Sequence, residues 1–441
     1  MRIILITLFT LLAAPSFGGI QQFTLDNGLK ILVKEDHRAP VAVVMVWYKV
    51  GSADDSPGVT GIAHVLEHLM FKGTTAYPLG IFSKTIASLG GQENAFTSND
   101  YTAYFEKIAA EHVPTSLKLE ADRMQNLTLD ASEFTKEIKV IQEERRLRTE
   151  DNPQALTFER FLATAHLASP YHHPVIGWMN DLEHLTIRDV RAWYQRFYAP
   201  NHATLVVVGD VSPAHVYTLA NEAFGSLSKR PVRSYKPQIE PPALGKKTVD
   251  VHGRAEVPLL MRGYTVPSVK SVSLMHQLDP YVLEIIAGIL DAGDSGRLQR
   301  HLVRGTQSAS AVGVNYNLYT RYETQFILYG APSQTHTLEA IDKEIEHEIN
   351  RLKTERVPEA ELQRVKTQLI AQKTFERDSI FGQAMELGLL ETVGLGWKTV
   401  DQYDARLRQV TAAHIQTVAN DYFQDARQTD ARLIPHPGAR P

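Results

Sequence analysis

The sequence predicts an α+β protein of two similar domains, each a mixed or antiparallel sheet packed with helices, the two related by internal duplication. Three observations predict this. At 441 residues the chain is too long for one ordinary hydrophobic core. A proline-rich stretch near its midpoint divides it, and short segments of the two halves echo one another.

Arg2, the apolar run Ile3 to Ala14, then Pro15 and the small residues Ser16, Gly18 and Gly19 read as a signal peptide over residues 1–18. The run is too short to span a bilayer comfortably, so a cleaved, secreted or periplasmic chain is expected rather than an anchored one. After it, Phe23 and Leu25 alternate with polar residues, Asp26-Asn27-Gly28 supplies a turn, and Leu29, Ile31 and Val33 continue the period of two, which predicts a hairpin. Val41 to Val50 is nearly all apolar and belongs in the middle of a sheet. Ile62, Val65, Leu66, Leu69 and Met70 fall at helical spacing, with Gly73 beyond the end as a cap. A second helix is expected over Gly80 to Leu89, stopped by Gly90-Gly91, then strands around Asn94 to Thr97 and Thr102 to Ile108. Helical periodicity runs from Pro114 to Ala168, broken near Asp130 and Asn152-Pro153, and a helix from Ile187 to Phe197 leads into the strand Ala203 to Val208.

Pro231, Pro237, Pro241 and Pro242 then fall close together with few apolar anchors, the texture of a linker over 231–245. It separates a domain over 19–230 from one over 246–441. Gly263-Tyr264-Thr265-Val266-Pro267-Ser268 resembles Tyr48-Lys49-Val50-Gly51-Ser52, and Val410-Thr411-Ala412 with its helix and strand echoes Leu185-Thr186-Ile187. Gly388 to Gly396 reads as a turn, and His172-His173 as part of a surface loop.

Composition narrows the function classes. Hydrophobic residues make up 43% and charged residues 22%, as in a soluble globular protein. Lys and Arg total 46 against 50 Asp and Glu, and no basic block stands out, which argues against nucleic acid as the main partner. The chain has no cysteine, so no disulfide framework is available. Any zinc must then be held by His and carboxylate, the ligand set of hydrolytic rather than structural sites.

His64-Val65-Leu66-Glu67-His68 supplies such a set. Residues four apart share one face of a helix, so both imidazoles reach one ion, with His64 and His68 as metal ligands. Glu67, three residues from His64, borders the same face and suits a general base that is not itself a ligand. The bland alternative is an amphipathic helix with two histidines on its polar edge. A catalytic zinc also needs a third protein ligand, and the helix Ser132 to Thr149 is the best source. Glu137 and Glu144 project from one side of it and Glu143 from another, and pattern alone does not choose between Glu143 and Glu144.

These residues resemble the pitrilysin/insulinase family of inverzincin zinc metallopeptidases, and in particular its short members, such as mitochondrial processing peptidase subunits and bacterial homologues. The resemblance runs through Asn27-Gly28-Leu29, Gly51-Ser52, Gly61 to His68 into Phe71-Lys72-Gly73-Thr74, Gly90-Gly91, Asn94-Ala95-Phe96-Thr97, Asp100-Tyr101-Thr102 and Val140-Ile141-Gln142-Glu143-Glu144. It implies one Zn2+ per chain, completed by a glutamate about 76 residues beyond the last histidine, which is Glu144. It also implies an assisting role for Glu137, and a substrate strand containing Asn94, Ala95 and Phe96 that holds an extended peptide by main-chain hydrogen bonds. Read from the residues alone, Asn94 is a turn or strand-end residue.

One departure matters. Self-sufficient members of the family use an arginine and a tyrosine seven residues apart from the C-terminal type of domain. The corresponding stretch begins at Ser295-Gly296-Arg297-Leu298 and puts Val303 and Ser310 in those places; sliding by one residue recovers Arg304 but sets Ala311 where the tyrosine belongs. Tyr316 and Tyr319 are near but wrongly spaced. The resemblance therefore implies a zinc-bearing endopeptidase subunit acting on peptides or unfolded polypeptides, with a homologous subunit supplying the pair. A homodimer is the alternative, and a non-catalytic scaffold or chaperone subunit is the rival from another class.

Overall fold

The turn at Asn27-Gly28 sets the first pairing. Gly28 has a φ of +88°, a conformation that glycine adopts without steric cost, and the Asn27 side chain donates to the carbonyl of Phe224 at 2.7 Å. Strands β1 (Gln21–Thr24) and β2 (Lys30–Glu35) pair antiparallel on either side of it. With β3 (Val41–Tyr48), β4 (Gln92–Thr97), β5 (Thr102–Ala109) and β6 (Ala203–Gly209) they form a six-stranded sheet in the order β1-β2-β6-β3-β5-β4. Only β2 and β6 run parallel. The computed structural model describes residues 19–231, 236 and 238–436; the signal peptide expected over 1–18 and part of the 231–245 linker lie outside them. Among the described residues no helix is long and apolar enough to cross a membrane.

A second sheet contains β7 (Lys247–Gly253), β8 (Leu259–Val266), β9 (Ala309–Asn315), β10 (Thr324–Pro332) and β11 (Gln428–Pro435), in the order β7-β11-β8-β10-β9. Here too a single pair, β7 with β11, is parallel. Strand for strand this repeats β2-β6-β3-β5-β4, so the internal duplication extends through the topology. The echo of Leu185-Thr186-Ile187 is also structural: Thr186 and Thr411 each cap a helix through a reciprocal capping box.

The apolar run at β3 has a specific cause. Ala42, Val44, Val46 and Tyr48 point into one core, while Val43, Met45 and Trp47 point into another on the opposite face. That second face is covered from the other half of the chain, by Ala384 and Leu387 of the helix Ile380–Thr392. The arrangement is reciprocal. Phe161 and Ala165, from the helix Pro153–Ala165 of the N-terminal half, pack on Leu259, Met261, Ala431 and Leu433 of the second sheet.

Both contacts are so close that one partner has no side chain. A Cβ on Gly388 would enter the Trp47 indole, and a Cβ on Gly263 would enter the Phe161 ring. Trp47 and Gly263 hold equivalent places, each opposite the second residue of a central strand (Thr204 and Thr429). Phe161 and Gly388 are each the ninth residue of their helix. The duplicated contact has thus been kept while the bulky and the empty member have changed sides. This corrects the reading of Gly388 to Gly396 as a turn. Gly388 is inside a helix because Trp47 requires the space, and the turn begins only after Thr392.

Two further expectations are corrected. The helix expected over Ser132 to Thr149 is α-helical only from Ala131 to Arg145 and widens into a π-helical turn over Arg146–Glu150, where the Arg145–Glu159 pair ties it to the next helix. His173, expected on a surface loop, is buried, because the loop it begins docks on Thr60 through Trp178 N–H at 3.0 Å. Burial lowers its pKa to about 4.

The helix Ile62–Leu69 carries the histidine motif, lies between β3 and β4 in sequence, and packs on Ala131–Arg145. Its counterpart, Asp279–Leu290, lies between β8 and β9 and packs on Glu359–Glu376. The counterpart repeats the triplet of Val65-Leu66-Glu67 as Val282-Leu283-Glu284, but Tyr281 and Ile285 stand where the motif has His64 and His68. Burial pushes the Glu284 carboxyl up to about 7, against the opposing pull of Lys373 and a hydrogen bond from the Tyr403 hydroxyl.

Gly388→Ala is expected to destabilise the protein. Overpacking against Trp47 costs roughly 1–3 kcal/mol, more than the ~1 kcal/mol an alanine gains inside a helix. Adding Trp47→Phe should recover part of the loss in denaturant unfolding, and a Gly388→Ala protein at least as stable as wild type would contradict the packing account. For Glu284 the native state keeps a proton that the unfolded chain releases between about pH 4.5 and about 7, so stability falls as the pH rises through that window. The melting temperature of Glu284→Gln relative to wild type should therefore be higher at about pH 8 than at about pH 5. An equal difference at both values would contradict the shift.

Candidate metal centre

The motif helix is fixed at its start before it presents any chemistry. Gly61, with φ +87°, lets the chain enter the helix. Its N–H donates to Asp55 at 2.7 Å, and Asp181 accepts from both the N–H and the hydroxyl of Thr60, at 3.1 and 2.6 Å. Ile62, Ala63, Val65, Leu66 and Leu69 are buried in the core of the first sheet. That anchorage turns His64, Glu67 and His68 to the opposite side, toward the helix Ala131–Arg145.

There the two histidines meet Glu144. Glu144 Oε2 lies 3.4 Å from His68 Nε2 and 4.0 Å from His64 Nε2, and among the described residues these three offer donor atoms all within 4.8 Å of one another. A tetrahedral zinc with bonds of about 2.0–2.1 Å sets its donors about 3.4 Å apart. The spacing and the nitrogen and oxygen donor set therefore fit that ion after small side-chain movements. Glu143 points away from the cluster and pairs with Arg146.

The surroundings orient these side chains. His68 Nδ1 is 3.0 Å from Glu137 Oε1, which fixes the tautomer that leaves Nε2 facing Glu144. Glu137 is in turn paired with Lys72, and Glu144 with Arg148. His64 Nδ1 is buried without a hydrogen-bond partner among the described residues. Burial, helped by the neighbouring His68, lowers the His64 pKa to about 4, so this imidazole is neutral at pH 7. Burial acts the same way on His68, but the Glu144 and Glu137 carboxylates outweigh it and raise that pKa. The hydrogen bond to His68 holds Glu144 below the usual carboxylate range. Glu67 is not in the donor cluster. Burial pushes its carboxyl up, opposed by a hydrogen bond from the Thr97 hydroxyl and by His68.

Asn94, Ala95 and Phe96 lie on β4, which pairs with β5 on one side and ends the sheet on the other. The Asn94 side chain accepts from Ala95 N–H at 2.9 Å. β4 is in contact with the motif helix and meets it through the Thr97 hydroxyl on Glu67, while its other edge is unpaired within the sheet. Sequence reasoning assigned no role to Thr97, Lys72 or Arg148. Thr97 reads as an ordinary β-former, and the two cations as surface charges, until the fold brings them against Glu67, Glu137 and Glu144.

The residues near the missing arginine–tyrosine pair are otherwise engaged. Arg304 pairs with Asp294 on the exposed surface, and the Ser310 hydroxyl donates to the carbonyls of Ala331 and Pro332. Tyr316 donates to the carbonyl of Pro267 at 2.7 Å, and Tyr319 is buried.

Comparison with known proteins identifies the family. Residues 30–177 match the insulinase family (peptidase family M16), and residues 184–369 match the peptidase M16 inactive domain. The chain is similar to the zinc protease PqqE of Helicobacter pylori, with 32% identity over 98% of this chain and 97% of that one. It is also similar to a probable mitochondrial-processing peptidase subunit beta of Arabidopsis thaliana, 25% identical over 91% of this chain and 76% of the relative. The crystal structure of a protease from Helicobacter pylori superposes with a TM-score of 0.89 at 31% identity, covering 95% of this chain and all of that one. With two family models matched over residues 30–177 and 184–369 and a zinc protease similar along nearly its full length, the chain belongs to the insulinase family of peptidases, M16.

Proposed function

We propose that the chain is a zinc endopeptidase that hydrolyses peptides or unfolded polypeptides, and that it is the metal-bearing subunit of a dimer. The observation that carries this is the convergence of His64, His68 and Glu144, with the Glu67 carboxylate beside but outside their donor cluster. A catalytic zinc has three protein ligands and an open position. When bound, zinc supplies Lewis-acid activation of water and of the scissile carbonyl.

The chain's own residues supply the rest. Glu67 takes a proton from the attacking water at its carboxylate and passes it to the leaving amine; burial raises its pKa in the direction a general base needs. Glu137 orients His68 through the Nδ1 contact. The free edge of β4, with Asn94, Ala95 and Phe96, adds an extended peptide to the sheet by main-chain hydrogen bonds, a mode that tolerates many sequences. One Zn2+ per chain is the expected load, because the counterpart helix has Tyr281 and Ile285 in place of the two histidines.

The dimer follows from what this chain does not offer. Val303 and Ser310 are in the places of the arginine and tyrosine, and Arg304, Tyr316 and Tyr319 are engaged or buried. One oxyanion donor is worth roughly 3 kcal/mol of barrier, so a homologous subunit that brings the pair would raise activity strongly. The apolar N-terminal run supports a working place outside the cytoplasm, secreted or periplasmic.

Glu67→Gln is expected to keep its zinc and lose roughly 100- to 10,000-fold in peptidase activity on an unstructured fluorogenic peptide. Wild-type activity in that variant would overturn the assignment. Glu137→Gln should weaken zinc binding roughly 10- to 100-fold, measured by competition with a chelator; unchanged affinity would remove Glu137 from the site. The zinc-loaded chain alone should cleave slowly and gain activity with a homologous subunit bearing the pair. High activity alone would mean that no such subunit is needed.

A further inference from the structure

Glu67 must aim its carboxylate at the metal face without joining the ligands, and its own helix does not hold the end of that side chain. The contact that does comes from another element. Thr97, the last residue of β4, donates its hydroxyl to Glu67 Oε2. The other residues assigned a role would hold the metal, orient His68, carry the peptide or move the proton, whereas this hydroxyl holds the base itself.

The position of Thr97 is itself tightly determined. It pairs across the strands with Thr102, whose hydroxyl is tied to Val50 O at 3.0 Å. The turn that follows is clamped from two directions. On one side Ser52 N–H and Ala53 N–H donate to the carbonyls of Ser98 and Asn99, at 3.1 and 2.8 Å. On the other, Arg321 reaches in from the C-terminal half. Its guanidinium spans Asp54 at 2.8 and 3.1 Å and the Asp100 carbonyl at 2.9 Å, while its own N–H donates to the Asp100 carboxylate at 2.9 Å. Tyr171 closes the cluster with a 2.6 Å bond to the same carboxylate. So many bonds on one four-residue turn leave Thr97 little freedom, and a hydrogen bond from a fixed donor directs the acceptor.

We infer that Thr97 is a positioning residue for Glu67, holding the base in line from the strand on which the peptide is laid. This rests on the zinc-peptidase reading, and it adds that the clamp on the β4–β5 turn, including Arg321 of the C-terminal half, serves the base as well as the strand. A peptide bound along β4 would be registered to the same strand that sets Glu67, so substrate and base share one reference.

The test compares zinc-loaded Thr97→Val and Thr97→Ser with wild type, by crystal structure and by peptidase kinetics in the presence of whichever subunit full activity requires. Valine keeps the β-branched shape and loses the donor; serine keeps the donor. Thr97→Val should retain its zinc and KM within about twofold and lose roughly 10- to 100-fold in kcat, with Thr97→Ser restoring most of it. Its structure should show the Glu67 carboxylate displaced or in two positions. A Glu67 held in the wild-type position in Thr97→Val overturns the inference whatever the rate, and so does a displaced Glu67 with unchanged kcat. If wild type cleaves no peptide under any condition, the peptidase reading fails instead, and the structures alone decide whether Thr97 positions Glu67.

Discussion

Each sheet of this protein is completed by a helix from the opposite half of the chain, and the remainder of the structure depends on that exchange. Without Ile380–Thr392, Val43, Met45, Trp47, Val206 and Val208 would lose their cover, and without Pro153–Ala165 so would Leu259, Met261 and Leu433. At about 25 cal/mol per Å² of buried apolar surface, exposing either face would be prohibitive for a domain whose net stability is only about 5–15 kcal/mol. The halves are therefore two domains by topology and one unit by energetics. The candidate metal centre, built wholly from N-terminal residues, still relies on the C-terminal half, both for the far face of its sheet and for the Arg321 clamp on the β4–β5 turn.

Duplication also explains how one chain can keep two copies of a fold and only one copy of the proposed metal site. The fold requires apolar positions at strand and helix periods, which Val65-Leu66 and Val282-Leu283 both meet. The proposed chemistry requires particular atoms on the other face of the same helix. His64 and His68 would provide them in the first half, while the corresponding Tyr281 and Ile285 of the second are buried and offer no imidazole. The Trp47–Gly388 and Gly263–Phe161 contacts show the same freedom within the core: volume is conserved across the contact, and which partner supplies it is not.

Much of this was legible in the sequence because it rests on local physics. The strand and helix periods, the turns at Asn27-Gly28 and Gly90-Gly91, and the spacing of His64 and His68 are decided within a few residues. The pairing of the motif helix with Glu144 rather than Glu143 needed either a family resemblance or coordinates, since the two differ by one residue on the same helix. What escaped depends on distant parts of the chain. Gly388 reads as a turn glycine until Trp47 is placed beside it, and His173 reads as exposed until its loop meets Thr60. Thr97 and Arg321 gain meaning only when a strand end, a helix and a loop from the other half converge. The family resemblance named Asn94, Ala95 and Phe96, but that their strand ends the sheet with one edge unpaired is shown only by the strand order.

The proposed function requires three donor atoms that converge on one ion. The most direct measurement is the metal content of the purified chain, with a crystal diffracting at the zinc edge. One zinc per chain is expected, seen as a single anomalous peak bonded to His64 Nε2, His68 Nε2 and Glu144. No zinc, or a peak held by other residues, would contradict it.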